Sequence, residues 1–355
     1  MMPVTTDAAH EHPEGMTGEK RPGPAFHSER VPEGGLAAGR GPSYEHVFGP
    51  VPSRRLGRSL GVDVVPLKTC TYDCIYCQLG RTTLKTVERS QWAPLEAVVE
   101  ELRSKLPSRP DYVTISGSGE PTLFSRVGEL IDRIKAVTAV PVAVLTNGSL
   151  LWQEDVRRQL LGADLVLPSL DAGDEAVFQA INRPHDELSF EQVLGGLIDF
   201  RREYKGRYWL EVLLLAGHTA IEAEVAKLAR CAGLISPDRV QLNTVVRPPA
   251  ESLAVGATRE RMVELAAMFD PPAEVIADFH GTYERTEFSA GREAVWELLR
   301  RRPCSLEDIA VGLGMHRNEA AKYVQSLSAS GLLTRSWCDE RRLELYSGRG
   351  RTEKG

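Results

Sequence analysis

Long apolar runs, an excess of basic charge and paired cysteines are all missing from this sequence. No stretch approaches the roughly 18 consecutive apolar residues of a membrane-spanning helix. The N-terminus has no apolar core of a secretory signal. The formal net charge of −6 argues against a protein that coats nucleic acid over its whole surface. We therefore expect a cytoplasmic protein that makes no membrane contact.

The cysteines are few and unevenly spread. The clustered ones are Cys70, Cys74 and Cys77, and the scattered ones are Cys231, Cys304 and Cys338. A disulfide framework would be denser and would not crowd three thiols into one short loop. The cluster therefore predicts a metal centre, whereas the scattered cysteines are interpreted as small buried side chains.

Composition and periodicity divide the chain into four parts. Residues 1–44 are rich in Pro, Gly, Glu and Arg without periodicity, which predicts a disordered arm. Residues 45–280 alternate short apolar runs with helical patterns, residues 288–346 form a separate small domain, and residues 347–355 are predicted to be a disordered tail.

The long central part predicts an α/β fold. Strands are expected at 61–67, 111–117, 140–148, 163–171, 208–217 and 238–245, and helices at 92–106, 123–137, 153–161, 173–181, 189–204, 219–233 and 258–269. Strands that alternate with helices form right-handed βα units around a parallel sheet. Six units favour a partial (βα)6 barrel over a full eight-fold one.

Just before the first predicted strand, turn residues surround a short basic run of Arg54, Arg55 and Arg58. Two interpretations stay open for this run. It is either a solvated turn that leads into the strand, or a set of cations that hold a carboxylate or phosphate near the barrel mouth.

The pattern over 288–346 predicts three helices followed by two strands, which is typical of a small winged helix-turn-helix domain. Nine basic residues face eight acidic ones across 291–346, so the basic surface usual in DNA-binding modules is missing. Docking of protein or peptide is therefore favoured over DNA, which is possible but not preferred. The candidate phosphate contacts, if DNA were bound, are Arg317, Lys322, Arg341 and Arg342.

The clustered cysteines have the spacing C-x3-C-x2-C directly after the first predicted strand. In a parallel barrel this position lies at the carboxyl edge of the strands, where active sites form. Three thiolates can hold three irons of a [4Fe–4S] cluster and leave the fourth iron open, which is a catalytic feature. The alternative is a structural zinc with a remote fourth ligand, although a second C-x2-C pair is absent.

The loop from Lys68 to Cys77, with Tyr76 before the last cysteine, resembles the defining motif of the radical S-adenosylmethionine (SAM) superfamily. The resemblance implies a [4Fe–4S] cluster on the three cysteines and SAM on the fourth iron. Reduction then cleaves SAM to methionine and a 5′-deoxyadenosyl radical, which abstracts hydrogen from a substrate. The chemistry implies a low-potential flavodoxin or ferredoxin as electron donor. No catalytic side chain is assigned.

Residues 115–122 resemble the superfamily element that cradles the amino group of SAM, with Ser118 inserted between its two glycines. Short polar residues end the third and fourth strands and suit ribose hydroxyls or the SAM carboxylate, although turn and capping roles explain each equally well. The implied SAM-binding residues are Tyr76, Gly117, Gly119, Glu120, Pro121, Asn147, Ser169 and Asp171. Weaker candidates for the site are Lys68, Arg183, Pro184, His185, Glu211, Asn243 and Thr244.

The segment from Gly49 to Gly80 and the stretch SGSGEPTL at 116–123 also resemble a wyosine-synthetase-related, tRNA-modifying branch of the superfamily. This resemblance covers residues 45–280. The second cysteine cluster or Schiff-base lysine used in that branch has no match here. The substrate therefore stays open among a peptide or protein, a tRNA base and a small metabolite. The alternative function is an iron–sulfur redox sensor that regulates DNA through the winged helix.

Overall fold

The structure, a computed structural model, describes residues 46–53, 55–246, 249–277, 286–301, 303–313, 315–338 and 343–348. The arm predicted over 1–44, residues 349–355 of the predicted tail, Arg54, Arg341 and Arg342 all lie outside these residues. Ser347 and Gly348, which were predicted to belong to the disordered tail, are part of a strand instead.

The main sheet has eight strands and is mostly parallel, which confirms the α/β class. Its strands, in spatial order, are β1 (Val47–Ser53), β2 (Gly57–Val62), β5 (Tyr112–Ile115), β6 (Val142–Thr146), β7 (Leu165–Pro168), β8 (Arg207–Leu214), β9 (Arg239–Thr244) and β10 (Glu274–Val275). All neighbours pair in parallel except β1 and β2. A short parallel pair, β3 (Thr69–Cys70) and β4 (Leu84–Lys85), lies beside the sheet.

Within the described residues, seven α-helices connect the parallel strands, in the order that the periodicity predicts. They are α1 (Leu95–Lys105), α2 (Val127–Val137), α3 (Glu154–Leu160), α4 (Glu175–Ile181), α5 (Phe190–Glu203), α6 (Glu222–Ile235) and α7 (Arg259–Ala266). Short polar residues start several of them. Ser189 forms a capping box with Gln192 at the start of α5. No helix in the described parts of the chain is both long and apolar enough to cross a membrane.

The segment before the first predicted strand is a strand rather than a turn. β1 pairs with β2 in an antiparallel hairpin, and the first parallel strand is Gly57–Val62 instead of 61–67. Gly49, Pro50 and Pro52 make the sequence look like a turn. β1 tolerates the prolines because it is an edge strand whose register shifts between Phe48 and Val51.

One face of the sheet carries a buried apolar cluster, which we call the apolar plug. It consists of Leu56, Ala143, Leu165, Leu167 and Trp209, all buried. Side chains of successive inward positions follow a period of two along each strand. The next residues on the same face, toward the carboxyl ends of the strands, are therefore expected to line any cavity that borders the plug.

The C-terminal residues form a second packed group with its own hydrophobic cluster. It contains α8 (Thr286–Arg301), α9 (Leu306–Leu313), α10 (Arg317–Ala329) and an antiparallel pair, β11 (Leu333–Cys338) and β12 (Leu343–Gly348). Ser305 caps α9, since its hydroxyl accepts from the backbone N–H of Asp308 at 3.1 Å. Cys304 is buried in this cluster and Cys231 in the main core, as the sequence predicts.

Candidate functional site

The cysteine loop leaves β2 and is held by the segment that follows α4. The backbone N–H groups of Asp73 and Ile75 donate to the carbonyls of Asn182 (3.0 Å) and Ile181 (2.9 Å). In the opposite direction, His185 donates its backbone N–H to the Thr71 carbonyl at 2.8 Å. Residues 181–185 therefore brace the loop through their backbone.

The glycine-containing turn after β5 is joined to the same loop. Lys68 donates its backbone N–H to the Ser118 carbonyl (2.6 Å), and Glu120 donates its own to the Thr69 carbonyl (3.1 Å). A Cβ atom placed on Gly119 would lie 1.8 Å from that Thr69 oxygen. Only glycine allows this approach, because real side chains never come so close to a backbone oxygen. The two loops therefore form one rigid unit.

Each of the three clustered sulfur atoms accepts a hydrogen bond from a side-chain nitrogen donor. The side-chain amide of Asn147 lies 3.6 Å from Cys70 Sγ, and that of Asn182 lies 3.6 Å from Cys74 Sγ. The Lys68 ammonium lies 3.1 Å from Cys77 Sγ. Donors of this kind stabilise negative charge on sulfur and tune the potential of iron–sulfur clusters. Lys68 is therefore buried against Cys77 rather than exposed.

The three thiols are close enough to influence one another. Burial, together with the charges of Glu120 and Cys77, raises the pKa of the Cys70 thiol to about 12. Burial also raises the pKa of Cys74 well above its usual range, followed by the charges of Cys70 and Cys77. Thiols in this state need a bound cation to deprotonate, and metal coordination supplies it.

The donor set fits a multi-iron cluster better than a single ion. Within the part of the chain that the structure describes, no three His, Cys, Asp or Glu side chains converge as ligands of one metal ion. A cubane does not require such convergence, because each thiolate binds a different iron. A structural zinc requires four converging ligands, and the residues described here do not supply them.

Glu120 is a structural anchor of the turn. Its buried carboxylate accepts from both the backbone N–H (3.0 Å) and the hydroxyl (2.6 Å) of Thr122. It also accepts from the Thr146 hydroxyl (2.6 Å) and from the Asn147 backbone N–H (2.7 Å). These bonds tie the ends of β5 and β6 together. The Glu120 carboxylate is thus already engaged by its own chain.

Asp171, at the end of β7, connects a third strand end to the cysteine loop. Its carboxylate accepts from the Tyr76 hydroxyl, from the Asn182 amide (3.4 Å) and from the Leu213 backbone N–H (2.8 Å). Burial is the main cause that raises the pKa of Asp171 to about 6. The aromatic residue of the cysteine motif is therefore fixed by a side chain that the sequence analysis assigned to the same site.

A cavity of about 440 Å³ opens above the apolar plug at the carboxyl ends of the strands. The structure brings nearly all of the predicted site to its wall. The predicted residues that line it are Cys70, Cys74, Tyr76, Gly117, Gly119, Glu120, Asn147, Ser169 and Asp171. Cys77 lies beside them through its contact with Lys68, and Pro121 is buried in the short helix that follows Glu120.

The cavity wall also contains a polar group that the sequence indicates only in part. The Arg55 guanidinium forms an ion pair with the Glu211 carboxylate, which also accepts from the Asn243 amide at 2.8 Å. All three residues line the cavity. Glu211 points inward because Trp209, two residues before it, belongs to the plug. In the sequence, the spacing of two residues between Trp209 and Glu211 is the signal that places both side chains on the same face of β8.

The remaining weak candidates have structural roles. The Thr244 hydroxyl donates to the Leu214 carbonyl at 2.6 Å and accepts from the Ala257 backbone N–H at 2.8 Å. Arg183 pairs with Glu251 through two hydrogen bonds. Neither Thr244 nor Arg183 lines the cavity.

Comparison with known proteins identifies the domain that carries this site. The sequence pattern of the Radical SAM superfamily matches residues 64–229. This range includes the three cysteines, the glycine-containing turn and the ends of β6 and β7. The radical SAM methyltransferase of Sphaerobacter thermophilus superposes with a TM-score of 0.48 at 16% identity, covering 62% of this chain and 66% of that one.

Full-length relatives extend the similarity beyond that domain. A UPF0026 protein of Methanocaldococcus jannaschii is 39% identical over 249 residues, which cover 68% of this chain and 76% of the relative. A UPF0026 protein of Helicobacter pylori is 32% identical over 287 residues, covering 79% of this chain and 91% of the relative. A protein of Brachyspira hyodysenteriae named GTPase Obg is 37% identical over 292 residues, and this chain spans 43% of its length.

Proposed function

This chain belongs to the UPF0026 family and contains a radical SAM domain, and from that premise we propose that it cleaves SAM reductively at a [4Fe–4S] cluster held by Cys70, Cys74 and Cys77. The radical SAM superfamily uses such a cluster together with SAM. When the cluster and SAM are bound, one-electron reduction of SAM supplies methionine and a 5′-deoxyadenosyl radical. This radical removes hydrogen from the substrate.

One observation carries the proposal. The three thiols, each with its own nitrogen donor, share one rigid unit with the turn proposed to bind SAM. A redox centre that only transfers electrons needs the cysteines but not this turn. The joint construction therefore supports SAM as the ligand that completes the site.

The surrounding residues position the SAM rather than react with it. We propose that the backbone around Gly117 and Gly119 receives the amino group, with Glu120 and Pro121 fixing the shape of the turn. Asn147, Ser169 and Asp171 line the same cavity and suit the ribose hydroxyls or the SAM carboxylate. Because these groups are held by their own hydrogen bonds, they bind without reorganisation.

The substrate is proposed to bind in the same cavity, against Arg55, Glu211 and Asn243. The Arg55–Glu211 ion pair, with the Asn243 amide donating to Glu211, gives this wall a polar surface that suits a polar substrate. A low-potential flavodoxin or ferredoxin is proposed as the electron donor. We also propose that residues 45–280 are related to wyosine-synthetase-like enzymes. The C-terminal group of α8–α10 with β11 and β12 is proposed to be a winged-helix-like domain.

Spectroscopy of the reduced, reconstituted protein tests the open iron. We expect about four iron and four sulfide per chain, and an electron paramagnetic resonance spectrum that changes when SAM is added. SAM alters the spectrum because it ligates one iron directly. A spectrum that stays the same at saturating SAM would mean that a protein side chain occupies the fourth iron. A colourless protein that contains zinc would mean that the cysteines bind no iron–sulfur cluster.

A further inference from the structure

The polar face of α10 lines the barrel cavity. Asn318, Ala321, Lys322 and Gln325 all contribute to the cavity wall. Their spacing of three, four and seven residues places them on one side of the helix. The opposite side, with Ala320, Val324 and Leu327, packs in the C-terminal hydrophobic cluster.

A winged helix that reads DNA would present this same helix to a groove. Here the face that would enter the groove is directed at the barrel instead. Lys322, a candidate phosphate contact, lies in the cavity wall, and Arg317 is 3.8 Å from the Glu307 carboxylate. No observation among the described residues favours the DNA-regulator alternative.

The start of α10 is attached to the barrel through one histidine. The His316 ring stacks on Phe48 of β1, with centroids 4.4 Å apart and planes 15° apart. His316 Nδ1 accepts from the Asn318 backbone N–H at 3.1 Å, so Nε2 carries the proton in the neutral ring. That Nε2 atom lies 3.2 Å from Asp63 Oδ2.

Asp63 relays this contact to the turn proposed to bind SAM. Its buried carboxylate accepts from the Ser118 hydroxyl at 2.5 Å. A Cβ atom on Gly117 would lie 2.2 Å from Asp63 Cγ, so this carboxyl group sits directly against the turn. Asp63 Oδ1 is buried and has no hydrogen-bond partner among the described residues. A buried carboxylate with so few donors depends strongly on those it has, here His316 and Ser118.

We propose that the C-terminal domain is a cap that completes the active-site cavity, and that the His316–Asp63–Ser118 chain couples its seating to the turn that binds SAM. The inference rests on the proposed function of that turn. Under that function, α10 forms part of the cavity wall against which the substrate binds. A substrate enclosed in this way is a small molecule or a chain end rather than a duplex. His316 and Asp63 are positioning residues, since they act through Ser118.

Coupling of this kind is reciprocal. If the cap stabilises the turn, SAM binding must in turn stabilise the cap. We expect SAM to slow hydrogen–deuterium exchange across residues 317–329 of the reconstituted wild-type protein by about fivefold or more, a typical coupling. In His316→Ala and Asp63→Asn, exchange of this helix is expected to be faster without SAM and to lose its response to SAM. The SAM Kd is expected to rise by a similar factor.

Two further variants make this test specific. His316→Gln retains an acceptor and an N–H donor and is expected to restore part of the response. Arg335→Ala removes an exposed ion pair with Glu344 in the same domain and is expected to behave like wild type. A double variant of His316 and Asp63 should be no worse than either single change, since both break one chain of contacts.

Outcomes that overturn the cap proposal differ from those that overturn SAM binding. If wild-type protein binds SAM but exchange across 317–329 does not respond, or if His316→Ala matches Arg335→Ala, the cap proposal is wrong. If wild-type protein does not bind SAM in equilibrium dialysis, the proposed function fails. Faster exchange in His316→Ala than in Arg335→Ala would then still support the docking of α10 on the barrel.

Discussion

Cys74→Ala is expected to lose the iron–sulfur cluster and to lower 5′-deoxyadenosine formation by at least about a hundredfold. Cys74 is the central cysteine of the loop, and its sulfur accepts from the Asn182 amide. Without this thiolate, a second iron has no protein ligand and the cluster is no longer retained. Iron and sulfide content, the absorbance of the reconstituted protein and deoxyadenosine formation are the measurements.

Cys231→Ala is the matched control for this experiment. Cys231 is a buried cysteine in α6 whose side chain belongs to the hydrophobic core and does not line the cavity. Its replacement is expected to cost about 1 kcal/mol of stability and to leave iron content and deoxyadenosine formation unchanged. A Cys74→Ala protein that keeps four irons and wild-type activity would show that the cluster is bound elsewhere.

Gly119→Ala is expected to be nearly as damaging, although it removes no ligand and no charge. The added methyl group would meet the Thr69 carbonyl oxygen at 1.8 Å and its carbon at 2.8 Å. Both are backbone atoms of the cysteine loop, so neither can swing aside. We expect a loss of about 2–4 kcal/mol in the free energy of unfolding, reduced cluster content and a SAM Kd at least about tenfold higher.

Gly233→Ala provides the control for backbone effects. Gly233 lies in α6, and a Cβ atom there would meet nothing within 4 Å. Alanine in a helix is favoured over glycine, so this variant is expected to gain about 0.5–1 kcal/mol and to keep cluster and SAM binding. If Gly119→Ala also kept both, the two loops would not form the rigid unit described above.

Local signals in the sequence predict the cluster loop and most of the cavity wall. The cysteine spacing and its place after a strand are short-range features, and strand ends gather at one edge of a parallel sheet whatever the details of packing. Asn147, Ser169 and Asp171 are therefore found in the cavity as expected. Their engagement by Thr71, the Thr146 carbonyl and Tyr76 depends on neighbouring loops and is not visible in the sequence.

Features that depend on contacts between residues far apart in the sequence were not predicted. Asp63 looks like a polar interruption within an apolar strand, and nothing nearby in sequence shows that His316 will reach it. The β1–β2 hairpin was hidden by prolines that an edge strand tolerates. The position of α10 against the cavity follows from docking between two packed groups, which periodicity along the chain does not encode.

The most direct test of the account is quantification of 5′-deoxyadenosine after anaerobic reconstitution with iron and sulfide, reduction with dithionite and addition of SAM. We expect a brown protein that forms 5′-deoxyadenosine and methionine in equal amounts, and a Cys74→Ala protein that forms neither. A brown wild-type protein that forms no deoxyadenosine would contradict the assignment to SAM cleavage and leave the cluster as a redox sensor.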